Sequence, residues 1–148
     1  MLRCSMSESR SREFFTDRNL GRQFPEMLAA AGVIVHRHDE YFAQDCPDEE
    51  WLAVVGARGW VAITYDRRIR YKPNELQAVI DASATLLVVT GKAPFREFAR
   101  SFVNSVPAID RFLNSHLPPL IAKVYRASSD ELRRDANACG RVELWYPS

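Results

Sequence analysis

The sequence predicts an α/β fold, a three-layer sandwich of helices around a mainly parallel central sheet. Three observations carry that prediction. Five short apolar runs with strand character alternate with amphipathic helical patterns in the order β-α-β-α-β-α-β-α-β, the pattern of a doubly wound sheet. The run Thr85, Leu86, Leu87, Val88, Val89, Thr90 is continuously apolar in its interior, as a strand covered on both faces requires. Three runs close on an aspartate, Asp17, Asp39 and Asp66, and the carboxyl ends of parallel strands line the ligand crevice of such sheets.

The first strand is expected at Phe14, Phe15, Thr16 up to Asp17. In the segment that follows, Leu20, Phe24, Met27, Leu28 and Ala31 fall on one helical face, with Pro25 as the expected start of the regular helix and Gly32 as its stop. Residues 33–39 form the second strand, and residues 40–47 a polar loop. Asp48, Glu49 and Glu50 then open a helix with Trp51, Leu52, Val54 and Val55 on its apolar face, the acids suiting the positive end of the helix dipole. The third strand covers residues 60–66. A helix with Leu76, Val79 and Ile80 inward leads to the fourth strand, at residues 85–90. Residues 94–116 carry the longest helical pattern, striped by Phe95, Phe98, Phe102, Val106, Ile109 and Leu113, with Pro107 expected to divide or kink it. Residues 120–125 read as the fifth strand. Residues 128–140 are charged and loop-like with room for one helical turn, and residues 141–146 alternate polar and apolar, the pattern of an added antiparallel edge strand.

A chain of 148 residues with 47% hydrophobic content has the size of one ordinary domain. The expected division is a flexible tail over residues 1–12, the α/β domain over 13–127 and a C-terminal extension over 128–148. The tail is polar and carries a second methionine, Met6, so it reads either as a disordered arm or as an extended start. With 20 Lys plus Arg against 19 Asp plus Glu, the net charge of +1 gives no global basic field, and polyanion binding must come from local clustering. Cys4, Cys46 and Cys139 are odd in number and widely spaced, which fits neither a disulfide framework nor a zinc site and points to a reducing, cytoplasmic setting. No run approaches the roughly 18 to 20 apolar residues of a membrane helix, and no apolar signal segment opens the chain.

Parallel strands place Asp17, Asp39, Asp66 and Thr90 along one rim, and the helix opening at Asp48 brings its first-turn acids to the same rim. Like charges gathered there cost stability unless a cation neutralises them, so a hard divalent ion, Mg2+ or Mn2+, is the expected occupant. The competing explanation is that aspartates end strands because they make good turns and helix caps, which accounts more readily for one such residue than for three together with Asp48. Beside Asp66 lies the densest basic run, Arg67, Arg68, Arg70 and Lys72 with Tyr71 among them, a surface for phosphates and a stacked base. Thr64, two residues before Asp66, is placed to hydrogen-bond within the site. His36 and His38 share a spacing compatible with metal but lack a third soft ligand, so a half-exposed strand face is the expectation. The phenylalanine stripe is core, and neither a GxSxG elbow nor a phosphate-binding glycine loop is present.

The segments Phe14, Phe15, Thr16, Asp17, Arg18, Asn19, Leu20, Gly21, then Pro47 to Leu52, then Ala62 to Arg70, in this order and spacing, resemble the compact PIN-like domains related to VapC toxins. The likeness runs over about residues 13 to 127. The resemblance implies a metal-dependent ribonuclease in which Asp17, Asp48 or its neighbour Glu49, and Asp66 match the acidic metal-binding positions. A fourth acid of the family, on a helix between the first two, is replaced here by Asp39 or Glu40. The resemblance further implies a toxin of a toxin–antitoxin pair, an antitoxin protein as inhibitor, RNA as substrate and a homodimer as assembly. Two other readings remain open. One is a receiver-like phosphoacceptor module, echoed by Asp17, Asp66, Thr90 and Lys123, and the other is a degenerate PIN-like fold that only binds.

Overall fold

A computed structural model describes residues 12–65 and 73–147. Among them a six-stranded sheet runs in the order β2-β1-β3-β4-β5-β6, built from β1 (Glu13–Thr16), β2 (Ile34–Arg37), β3 (Val61–Tyr65), β4 (Thr85–Thr90), β5 (Leu120–Tyr125) and β6 (Val142–Tyr146). The first five are parallel, and β6 lies antiparallel on β5. The predicted α/β sandwich with its mainly parallel sheet is the fold observed.

The helices fall on both faces. Between β1 and β2 runs α1 (Gln23–Ala30), preceded by a 3-10 turn over Arg18–Leu20. A single helical turn, α2 (His38–Tyr41), follows β2, and α3 (Asp48–Arg58) leads to β3. Helices α4 (Pro73–Ala82) and α5 (Phe95–Asn114) flank β4, and a short α6 (Ser129–Arg134) precedes β6. Alternate strand residues point to opposite faces, so the register fixes two cores. Phe14, Val61, Ile63, Leu87 and Val89 meet Phe24 and Leu28 of α1 and Phe98, Phe102 and Ile109 of α5. Phe15, Ala62, Leu86 and Ile121, aligned across the sheet, and Val88 on the same face meet Trp51, Leu52 and Val55 of α3 and Val79 of α4. Each large side chain buried in this way stabilises the fold by about 1.5–3 kcal/mol.

Several elements differ from the sequence reading for local reasons. Helix α1 starts at Gln23, two residues before Pro25, which sits in the first turn where its missing N–H breaks no intrahelical bond. Strand β2 stops at Arg37, because the Glu40 carboxylate accepts from the Arg37 amide (2.9 Å) and turns the chain into α2, so His38 and Asp39 lie in a helical turn and not on the strand. Helix α5 is unbroken across Pro107, with Phe102 and Ser105 buried before it and Ile109 and Leu113 after it. Arg12, assigned to the tail by the sequence, donates to Asp110 of α5 (3.0 Å). Gly56 lies where α3 crosses α4, and a β-carbon built there would stand 2.1 Å from the Ala82 carbonyl oxygen.

The chain leaves β1 for the sheet edge at β2, then returns to β3 on the other side of β1. That reversal opens a crevice beyond the carboxyl ends of β1 and β3, the position at which doubly wound sheets take ligands.

Candidate active site at the carboxyl ends of β1 and β3

Asp17 lies at the reversal. Its amide continues the ladder by donating to the Ile63 carbonyl (2.9 Å), which holds the residue extended as the chain leaves the sheet. Its carboxylate is buried and accepts from the Arg18 amide (2.7 Å) and the Thr64 hydroxyl (2.8 Å). Burial pushes the Asp17 carboxyl above its ordinary range, and the charge of Asp48 adds to the rise. The Thr64 hydroxyl, the Arg18 amide and the Arg18 guanidinium offset part of it. Thr64 thus occupies the place its spacing suggested.

Asp48 opens α3 behind Pro47 and accepts from the Trp51 indole N–H (3.0 Å), which fixes its carboxylate against the helix's first turn. Its charge acts on both Asp17 and His38. Glu49, the next residue, is exposed. Asn19, named by the sequence reading only within a motif and given no role, clamps the end of β3. Its amide nitrogen donates to the Tyr65 carbonyl (2.8 Å) and its amide oxygen accepts from the Tyr65 N–H (3.2 Å). The backbone leading into residue 66 is therefore tied to the turn after Asp17. Asp66 itself, and the basic residues Arg67, Arg68, Arg70 and Lys72, lie outside the described residues.

Asp39 is arranged differently from the expectation that three strand-end carboxylates face one another. Its carboxylate accepts from Arg37 (3.2 Å) and lies 4.0 Å from Arg22, so two guanidiniums engage it. Starting a helical turn aims it along the rim toward these arginines. His38 departs further from the half-exposed position expected of it. It is 1% exposed, packed among Phe15, Phe42 and Trp51. Arg18 Nη1 lies 3.2 Å from His38 Nε2, and because a guanidinium only donates, Nε2 accepts and the ring proton sits on Nδ1. Among the described residues that buried Nδ1 has no hydrogen-bond partner. Burial lowers the pKa of His38, so the ring is neutral, as this arrangement requires. His36 stays on the strand, stacked on Trp60 at 3.9 Å and bonded to Tyr41 and Glu13 (2.7 Å each).

The acids brought together are Asp17 and Asp48. Among the described residues no group of three His, Cys, Asp or Glu side chains is gathered for a metal ion, and Asp66, the residue directly after β3, lies outside them. Thr90 is buried at the end of β4. Lys123 lies inside β5, its ammonium over the Trp145 ring at 5.0 Å and its backbone paired with Glu143, two residues short of the rim. That placement removes the lysine on which a receiver-like site would depend. Cys46 is buried and Cys139 exposed, both as free thiols. Among the described residues no helix is long and apolar enough to cross a membrane.

A mainly parallel sheet with the buried Asp17 at its reversal point and the charge of Asp48 acting on it gives an α/β protein with a candidate ligand site at the β1 and β3 ends. A family model described as a PIN-like domain matches residues 12–91, more than half of the 148, and the chain belongs to that family. The matched segment runs from β1 to the end of β4 and includes Asp17, Asp39, Asp48 and Asp66. PIN-like domains are a nuclease-associated group. No curated protein and no solved structure matches the chain.

Proposed function

We propose that the protein is a divalent-metal-dependent endoribonuclease whose centre is Asp17, Asp48 and Asp66. The observation that carries this reading is the buried Asp17 carboxylate with Asp48 close enough to raise its pKa, set in the ligand crevice of a PIN-like sheet. A buried carboxylate whose charge is disfavoured by a second carboxylate is a fitting donor for a hard cation, and the oxygens of both suit Mg2+ or Mn2+. When bound, such an ion supplies Lewis-acid polarisation and a more acidic water for phosphodiester hydrolysis.

The chain's own residues would do the positioning. Thr64 and the Arg18 amide hold Asp17 in one rotamer, Trp51 holds Asp48, and Asn19 fixes the approach to Asp66. Arg67, Arg68, Arg70 and Lys72 would hold the strand through its phosphates. Glu49 is a reserve ligand for the same ion. The finer expectations, a toxin restrained by an antitoxin protein, a homodimeric assembly and a cytoplasmic setting, belong to this proposal and rest on the family likeness and the composition.

The test incubates single-stranded RNA with wild-type protein, Asp17→Asn and Asp66→Asn, in Mg2+, Mn2+ or chelator. Cleavage by wild type alone, and only with metal, is expected. Equal cleavage by all three proteins would overturn the assignment, and RNA binding without turnover would favour the degenerate fold. The receiver-like reading shares the order of the first five strands, and acetyl phosphate would label Asp66 if it held. An unlabelled Asp66 is expected.

A further inference from the structure

The cavity on the β2 side of Asp17 has the opposite character to the acidic pair. It measures about 100 Å³ and is lined by Asp17, Arg18, Arg22, Arg37, His38 and Asp39 together with Thr16 and Gly21. Three guanidiniums face two carboxylates there, and His38 is neutral, so the lining carries an excess of positive charge. The space admits a group with several oxygens. Asp48 is not part of this lining.

The arginines converge on shared partners. Asp39 bridges Arg22 and Arg37, which come from different elements, the start of α1 and the end of β2. Arg18 is steadied by the buried His38 ring and lies 3.8 Å from Asp17. Arg22 keeps 70% of its side chain exposed and Arg18 38%, so both retain donors for a ligand. A set of converging guanidinium forks is the arrangement that recognises phosphate oxygens.

We propose that Arg18, Arg22 and Arg37 form a phosphate-binding cradle that takes a backbone phosphate of single-stranded nucleic acid beside Asp17, with Asp39 as the anchor that sets two of the arginines. The cradle rests on the nuclease reading for its ligand, and it gives the substrate a second contact surface apart from residues 67–72. Asp17 then marks the border between a cation-binding half and an anion-binding half of one crevice. In this arrangement Asp39 acts through arginines and not as a metal ligand.

The test measures binding of a fluorescent single-stranded oligonucleotide in chelator, where no cleavage occurs, across a range of salt concentrations. Wild type, the double variant Arg22→Gln/Arg37→Gln and the control Arg134→Gln on α6 are compared, with thermal melts to verify folding. The double variant is expected to bind on the order of ten-fold more weakly. Its log affinity against log salt should flatten by about 0.7, the value for one lost phosphate contact on a single strand. An oligonucleotide with a neutral methylphosphonate backbone should bind wild type and double variant alike. Unchanged affinity and slope in the folded double variant, or an equal loss in Arg134→Gln, would overturn the cradle while leaving the cleavage test to judge the nuclease reading. Weakened binding in the double variant together with no metal-dependent cleavage by wild type would uphold the cradle and reject the nuclease.

Discussion

Replacing Asp17 by asparagine separates a carboxylate retained for chemistry from one retained for structure. A turn-forming or helix-capping aspartate stabilises its fold, and its loss costs about 0.5–2 kcal/mol. The structure predicts the reverse at Asp17 in metal-free protein. The asparagine oxygen can still accept from the Arg18 amide, and the Thr64 hydroxyl can redirect its proton toward Asn19 Oδ1, 3.4 Å away. The substitution weakens two charge-assisted hydrogen bonds, but it also removes a buried charge that faces Asp48. Because the folded carboxyl has a raised pKa, desolvation and repulsion outweigh the hydrogen bonds. Asp17→Asn should therefore stabilise the metal-free protein at neutral pH by about 1 kcal/mol, a rise of roughly 2–4 °C in Tm for a chain of this size. The sign of the pH dependence follows. A group with a raised folded pKa contributes most stability below its unfolded value and loses that contribution as pH rises through the folded one. The gap between variant and wild type should open from acid toward neutral pH. Thermal melts in chelator across that range measure it, and a lower Tm for Asp17→Asn at neutral pH would refute the reasoning.

Other outcomes follow from the same geometry. Thr64→Val removes the hydroxyl 2.8 Å from Asp17 while keeping the shape, and should raise the Asp17 pKa further and lower stability at neutral pH by about 1.5–3 kcal/mol, read by denaturant melts. Metal affinity should fall as pH drops through the raised Asp17 pKa, with proton release on binding, measured by calorimetry in buffers of different ionisation enthalpy. Asp48→Asn should weaken Mn2+ binding whereas Asp39→Asn retains wild-type affinity, because Asp39 serves Arg22 and Arg37; the reverse ranking in a titration would restore Asp39 as a ligand. Gly56→Ala, which in an open helix gains up to about 1 kcal/mol, should instead destabilise, since the new methyl meets the Ala82 carbonyl, and an increase in Tm would contradict that packing.

The parts of the fold written in periodicity were legible in the sequence. The unbroken run at residues 85–90 sits inside the sheet as its composition demands, and the α5 stripe of Phe98, Phe102 and Ile109 fills the core on one face. What escaped was set by side-chain contacts between elements. The end of β2 depends on Glu40 reaching back to the Arg37 amide, a capping signal hidden in a charged stretch that reads equally well as strand end and loop. The burial of His38 depends on Phe15 of β1, Trp51 of α3 and Phe42 of the loop after α2 converging on it. In the site, Asp17, Asp48 and Thr64 were legible from strand ends and helix starts. Asn19 carried a weak signal, an amide side chain two residues past a strand-end aspartate. The pairing of Asp39 with Arg22 had none, since a 17-residue separation along the chain says nothing of their meeting across α1 and β2.

The proposed ribonuclease activity requires Asp17 and Asp48 to hold a divalent ion. A titration of RNA cleavage rate against Mn2+ concentration, for wild type and Asp48→Asn, addresses it most directly. No cleavage in chelator, a saturable rise with Mn2+ for wild type, and a curve displaced to higher Mn2+ or abolished for Asp48→Asn are predicted. Cleavage in chelator, or superimposable curves for the two proteins, would rule out that role.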